Sequence, residues 1–185
     1  MLAFVFWHWP YPEVASQEYE TRLGDFHRSL AEAKPEGFQR SVAFRIDGAS
    51  WISAADRGYE DWYLLEDSAA IDPLNEAAVG AVCKEAHDSV VEFAAAGSGG
   101  LYELRQGEAD VASCRSALWL RKPRETTYEE FYARLRSYTE RPGVSLWRRH
   151  LVLGPTPEFC LLIPGAVEPL EAEVVSSVQL NQVWP

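Results

Sequence analysis

Phe4-Val5-Phe6-Trp7-His8-Trp9-Pro10 is the stretch on which the fold turns, because it comes back as Ala117-Leu118-Trp119-Leu120-Arg121-Lys122-Pro123. Each is a short apolar run closed by proline, as expected of a strand covered on both faces. After the first comes Glu18-Tyr19-Glu20-Thr21-Arg22-Leu23 and then Gly37-Phe38; after the second, Glu130-Phe131-Tyr132-Ala133-Arg134-Leu135 and then Gly143-Val144. Later landmarks keep the order. Trp62-Tyr63-Leu64-Leu65 and Ala70-Ile71-Asp72-Pro73-Leu74 find echoes in Phe159-Cys160-Leu161-Leu162 and Ala166-Val167-Glu168-Pro169-Leu170. A period of about one hundred residues is too long for a solenoid and reads as a duplicated small domain. The expected units are 1–106 and 111–185, with 107–110 as a polar linker.

Outward from these landmarks, the chain alternates strand and helix signals. Ala3–Trp9 is the first strand. Ser16 can cap a helix whose apolar positions Tyr19, Leu23, Phe26 and Leu30 form one face, and Pro35 and Gly37 stop it. Arg40–Asp47 alternates as a half-buried strand, with Val42, Phe44 and Ile46 facing one way. A long connection carrying Trp51 leads to a strand at Trp62–Glu66. Asp72-Pro73 then starts a second helix on Val79, Val82, Ala86, Val90 and Phe93, ended by Gly97. Leu101–Arg105 closes the first unit. In the second, strands are expected at Ser116–Arg121, Leu146–Leu153, Glu158–Ile163 and Val178–Val183. A helix capped by Thr127-x-x-Glu130 follows the first of them. Too few residues follow Pro169 for a full second helix, which is shortened or lost. The order βαββαβ is ferredoxin-like. The fold class is therefore α+β: two tandem ferredoxin-like repeats forming one barrel with helices outside.

Composition narrows the function classes. The chain has 185 residues, 47% of them hydrophobic, with seven Trp and a formal net charge of −11. That charge disfavours nucleic acid and anionic membrane as partners, since phosphate binding needs clustered Lys and Arg. Residues 1–110 carry 8 Lys+Arg against 20 Asp+Glu, while 111–185 carry 9 against 8. Cys83, Cys114 and Cys160 lack metal-ligand spacing and read as small buried hydrophobes in a reducing cytoplasm. Leu2–Trp9 has no basic region before it and reads as a strand, not a signal peptide. GxGxxG, P-loop, GxSxG and HExxH motifs are missing, and the four histidines show no paired metal spacing. No cofactor and no metal are implied.

The run Gln17-Glu18-Tyr19, then Phe26-His27-Arg28-Ser29-Leu30, then Pro35-Glu36-Gly37-Phe38 resembles the dimeric α+β barrel superfamily, most closely its EthD-like and NIPSNAP-like group. The resemblance implies two ferredoxin-like sheets closed into a barrel whose interior holds a small, often aromatic, molecule. Members of such families include oxygenases without a prosthetic group, lactone isomerases and haem-handling proteins. Aligning Tyr19 with Phe131 puts Thr139 where the first unit has His27, which would make one half functional and one structural.

The candidate catalytic residue is His27, at the edge of the buried helix face, where a histidine can act as a general base near neutrality. Its bland alternative is a partly exposed histidine near a helix end. His8, Arg45, Trp51, Trp62, Trp119, Arg149 and His150 are candidate ligand-binding residues. Arg148 and His150 share one strand face and Arg149 the other, so one arginine turns inward and needs a carboxylate or an anionic ligand. The site is expected at a mouth formed by His27 and loop 48–60, with Trp51 as a lid. The function expected is binding of a small aromatic or anionic metabolite, by a cofactor-independent enzyme of oxygenase, isomerase or cyclase type. The competing expectation is a non-enzymatic stress or interaction protein whose barrel is filled by side chains. Either would be a monomer with an intrachain barrel or a homodimer.

Overall fold

The computed structural model describes residues 1–47, 49–52, 57–151, 156–165, 170 and 172–185. The first half comprises β1 (Leu2–Pro10), α1 (Ser16–Ala33), β2 (Phe38–Asp47), β3 (Gly58–Leu65), α2 (Ile71–Val79), α3 (Lys84–Val91) and β4 (Ala94–Gly107). The second comprises β5 (Ser116–Arg121), α4 (Tyr128–Thr139), β6 (Ser145–Leu151), β7 (Phe159–Ile163) and β8 (Glu173–Trp184). Among the described residues no helix stands between β7 and β8.

All neighbouring strands are antiparallel and close into one barrel in the order β1-β3-β2-β8-β5-β7-β6-β4. Each half contributes its strands in the same spatial order, fourth-first-third-second. The halves meet where β2 pairs β8 and where β4 pairs β6. The chain is thus α+β, with both ferredoxin-like sheets of the barrel supplied by one polypeptide and no open sheet edge left between them.

Strand alternation divides the apolar residues into an inner and an outer set. Ala3, Val5 and Trp7 of β1 point inward with Val42, Phe44, Ile46, Trp62, Trp119 and Trp147. The Trp119 ring sits 5.3 Å from Trp7 and 5.1 Å from Trp51, both edge-on. Indoles therefore occupy the barrel interior. On the outside, α1, α2 and α3 pack on the first sheet through Leu23, Leu30, Leu74 and Val90, and α4 packs on the second through Phe131 and Leu135.

Four expectations need correction. The second helix is two helices, because the chain leaves α2 at Gly80 in an extended conformation. Val79 and Val82 are exposed as a result. The run Ala94 to Gly100 is strand: Gly97 and Gly99 pair with His8 and Phe6 of β1. A Cβ on Gly97 would sit 2.4 Å from Phe6 Cζ, and one on Gly99 2.7 Å from Phe4 Cε2, so glycine there lets both rings lie flat on the sheet. Ser16 is the first residue of α1 and caps nothing. Finally, matching Trp62 with Phe159 is out of phase, since Trp62 faces the interior and Phe159 faces α4. The pairs Trp7↔Glu60 and Trp119↔Cys160 instead place Cys160 opposite Glu60 in the two halves. The Thr127–Glu130 capping box is present, with Glu130 Oε2 2.8 Å from the Thr127 amide.

Candidate functional site

Glu60 and Asp61 are consecutive in β3, so their side chains leave the sheet on opposite faces. Both are buried, at 0% and 1% exposure. Glu60 points into the barrel, where its two carboxylate oxygens each accept an indole N–H, from Trp7 at 2.8 Å and from Trp62 at 2.7 Å. Burial pushes its carboxyl up to about 7 against the opposing pull of those two donors.

Asp61 points the other way, under α1. His8 Nε2 lies 3.1 Å and His27 Nε2 3.3 Å from its Oδ2. The Tyr63 hydroxyl donates to the same oxygen at 3.0 Å. Asp61 Oδ1 accepts no hydrogen bond. Each imidazole is held from its other nitrogen, His8 Nδ1 by the Tyr19 hydroxyl at 2.6 Å and His27 Nδ1 by Ser41 Oγ at 2.7 Å. Burial alone would push Asp61 up. The two imidazoles outweigh it and hold the carboxyl well below the usual carboxylate range. Burial first, and the Asp61 charge second, push the Tyr63 and Tyr19 phenols up, so both remain neutral donors. The result is a buried carboxylate whose ion-pair partners are two imidazoles.

A cavity of about 570 Å³ opens beside this cluster, between the outer face of the first sheet and its helices. His8, Asp61, Tyr19 and Tyr63 form its polar end. Phe4 and Phe6 form the floor, and Leu23, Phe26, Leu74 and Val90 cover it from the helices. The size suits a small organic molecule, and the pattern of apolar walls with a few convergent polar groups is that of ligand pockets generally. Among the described lining residues there is no Lys or Arg. No group of His, Cys, Asp and Glu among the described residues is arranged to hold a metal ion.

Among the described residues the second half has no counterpart to the cluster. By strand pairing and helix position, Leu120 stands where the first half has His8, Leu161 where it has Asp61, and Phe131 where it has Tyr19. All three belong to the apolar cluster under α4.

The residues singled out in the sequence fall in different places. His8 borders the cavity, and His27 lies behind Asp61, fully buried rather than at a helix edge in solvent. Trp62 and Trp119 are packed inside the barrel, and Trp51 plugs its interior against Trp7 and Trp119. His27 and Trp51 therefore lie on opposite faces of the sheet and do not share a mouth; Gly48 and residues 53–56 of that loop lie outside the described residues. Arg45 is exposed and pairs with Glu20 at 3.1 Å. Arg149 turns inward and donates to the Thr156 carbonyl at 2.7 Å, while Arg148 on the outer face pairs with Glu158. His150 is exposed. Sequence reasoning passed over Asp61, Tyr19, Tyr63 and Glu60. The available signal was two adjacent carboxylates inside the apolar run Tyr59–Leu65, where at least one must be buried.

No protein-family model matches the chain, and no curated protein matches it. Solved structures do. A candidate monooxygenase from Fusobacterium nucleatum is similar over 98% of this chain and 92% of its own, at 9% identity and TM-score 0.57. Another from Lactobacillus acidophilus is similar over 98% of this chain and 94% of its own, at 12% identity and TM-score 0.56. A candidate chlorite dismutase, TA0507, is similar over 98% and 95%, at 13% identity and TM-score 0.52. At such identities the likeness is one of fold: the chain has the α+β barrel architecture of these proteins.

Proposed function

We propose that the outer cavity of the first half binds a small, flat, uncharged aromatic molecule bearing an acidic O–H or C–H, and that the His8–Asp61–His27 cluster moves its proton. The observation that carries this reading is the buried Asp61 carboxylate, bridged to two imidazoles at one end of a largely apolar cavity whose remaining polar lining is Asp72, Asn75 and His87. The bound O–H or C–H is placed against the Tyr19 hydroxyl, which borders the cavity and lies 2.6 Å from His8 Nδ1. Tyr19 receives the substrate proton as it passes its own to Nδ1, so His8 is the final acceptor while its Nε2–H stays on Asp61 Oδ2. Asp61 stabilises the imidazolium that forms. His27 does not touch the cavity; it supports Asp61 from behind. Proton removal of this kind is the opening step shared by cofactor-independent oxygenation, isomerisation and cyclisation of aromatic or polyketide-like metabolites. The monooxygenase names of two structural neighbours agree with that class of chemistry.

An anionic ligand fits poorly. The lining offers Asp61 and Asp72 but no Lys or Arg to offset a second negative charge. Titration with 2-naphthol, a neutral phenol, against 2-naphthoate, its anionic relative, tests both points. The phenol should bind and the carboxylate should not, and His8→Ala should weaken phenol binding by about tenfold or more, the loss of one charge-assisted contact. Equal binding of both probes, or a His8→Ala protein that binds 2-naphthol as the wild type does, defeats the proposal. The non-enzymatic reading draws support from the filled barrel interior. It predicts that neither probe binds.

A further inference from the structure

Two rings stack on His27, and one of them comes from the other half of the chain. Tyr63 of β3 stacks on it at 5.4 Å and 19° between planes. Trp184, the last residue of β8, lies parallel at 6.2 Å and 16°. β8 reaches this point because it pairs with β2, with Trp184 opposite Ala43. On α1, Gly24 faces the indole: a Cβ there would lie 3.9 Å from Trp184 Cε3, an ordinary contact distance. The Arg28 guanidinium lies 5.7 Å from the indole centroid.

The other junction of the barrel shows what the same position does without a site. At the equivalent place in α4, Thr139 Oγ1 donates to Gln106 Oε1 of β4 at 3.2 Å. In both halves, then, the closing strand of the opposite half meets this helix position. In one it forms a small polar contact, and in the other it lays an indole on a buried histidine. A hydroxyl–amide contact would suffice for closure. A flat ring restricts something more, the plane of the imidazole, and that plane decides whether Nδ1 meets Ser41 while Nε2 meets Asp61.

We infer that Trp184 is a positioning residue: it fixes the ring plane and single tautomer of His27 from the second half of the chain, so that the cluster around Asp61 is complete only when the barrel is closed. The inference rests on the site assignment above. Its test reads the histidine directly and needs no ligand. In ¹⁵N-labelled protein, imidazole nitrogen shifts report tautomer and ring averaging, and His8 in the same spectrum serves as internal reference. Trp184→Ala is expected to move the His27 nitrogens toward the mixed-tautomer average while His8 shifts less, and Trp184→Phe, which keeps a flat ring, is expected to restore the wild-type pattern. Arg28→Ala, which removes the cation over the indole together with its exposed pair to Asp25, controls for loss of surface contact and should leave His27 unchanged. Should Trp184→Ala lose its fold, the Phe variant and a Trp184→Leu protein, which keeps bulk without a flat face, decide the matter. Unchanged His27 signals in the Ala or Leu variant would overturn the inference, as would a Phe variant as disturbed as Leu. Failure of 2-naphthol to bind wild type would defeat the functional reading while leaving these spectra to be judged alone.

Discussion

His8 Nε2 lies 3.1 Å from Asp61 Oδ2, although the two residues belong to different strands and both are almost wholly removed from solvent. An isolated buried carboxylate costs too much to persist, so the imidazole protons are what keep Asp61 ionised there.

Asp61→Asn should therefore cost both stability and binding. It leaves two imidazole nitrogens facing an amide in place of the carboxylate. Breaking a buried ion pair from one side costs about 3 kcal/mol or more. Chemical denaturation at neutral pH should show a drop of that order. A loss near zero would mean the cluster is neutral.

His27→Ala behaves as a core change. The ring is fully buried, touches Ser41 and Asp61, and stacks on Tyr63 and Trp184. Removing it leaves a void and an under-compensated carboxylate, a loss of about 2–4 kcal/mol. Thermal unfolding should show the midpoint lowered by several degrees; an unchanged midpoint would place His27 in solvent.

Glu60 gives the stability curve a downward slope from acid to neutral pH. Its carboxyl is raised from 4.5 to about 7 in the folded protein by burial. Over that interval the native state holds a proton that the unfolded chain has released, so stability is full below pH 4.5 and falls as pH rises through about 7. The shift corresponds to roughly 3 kcal/mol at about 1.4 kcal/mol per unit. Glu60→Gln should lower stability at acid pH, because its amide nitrogen faces an indole N–H, and should flatten the curve between pH 5 and 8 as the wild-type slope disappears. Urea titrations across that range would show it; a parallel slope in both proteins would assign the titration elsewhere.

Gly97→Ala should act on the cavity more than on the fold. The new methyl meets Phe6 Cζ at 2.4 Å and drives that ring off the sheet into the pocket. Affinity for 2-naphthol should fall by about tenfold, or roughly 1.4 kcal/mol, with a smaller change in unfolding midpoint. Unaltered affinity would mean that Phe6 does not line the bound ligand.

How much of this was legible in sequence differs by element. Strands announced by apolar runs, such as Phe4–Pro10 and Ala117–Arg121, and the helix opened by Thr127-x-x-Glu130 could be read directly, because their signals are local. Ala94–Gly100 could not. Small residues and glycines look like loop, and only the two phenylalanine rings of β1, far away in sequence, explain why strand backbone there must lack side chains. Glu60 and Asp61 were obscured for a related reason. Charged neighbours suggest a solvated connection, and their partners come from β1 (Trp7 and His8), from α1 (His27) and, for Trp62, from two positions further along the same strand. His27 was visible as a residue, but its burial depends on Trp184 at the other end of the sequence. The indoles that suggested a ligand cavity inside the barrel pack against one another there, and the cavity beside Asp61 lies on the outer face of the sheet.

The central claim is that small molecules enter the outer cavity of the first half and meet Asp61 and His8 there. A crystal structure of the protein soaked with 2-naphthol tests it most directly. The expected result is the naphthalene ring over Phe4 and Phe6, with its hydroxyl within hydrogen-bond distance of the Tyr19 hydroxyl. Naphthol found among the tryptophans inside the barrel, or an outer cavity left empty at saturating probe, would contradict it.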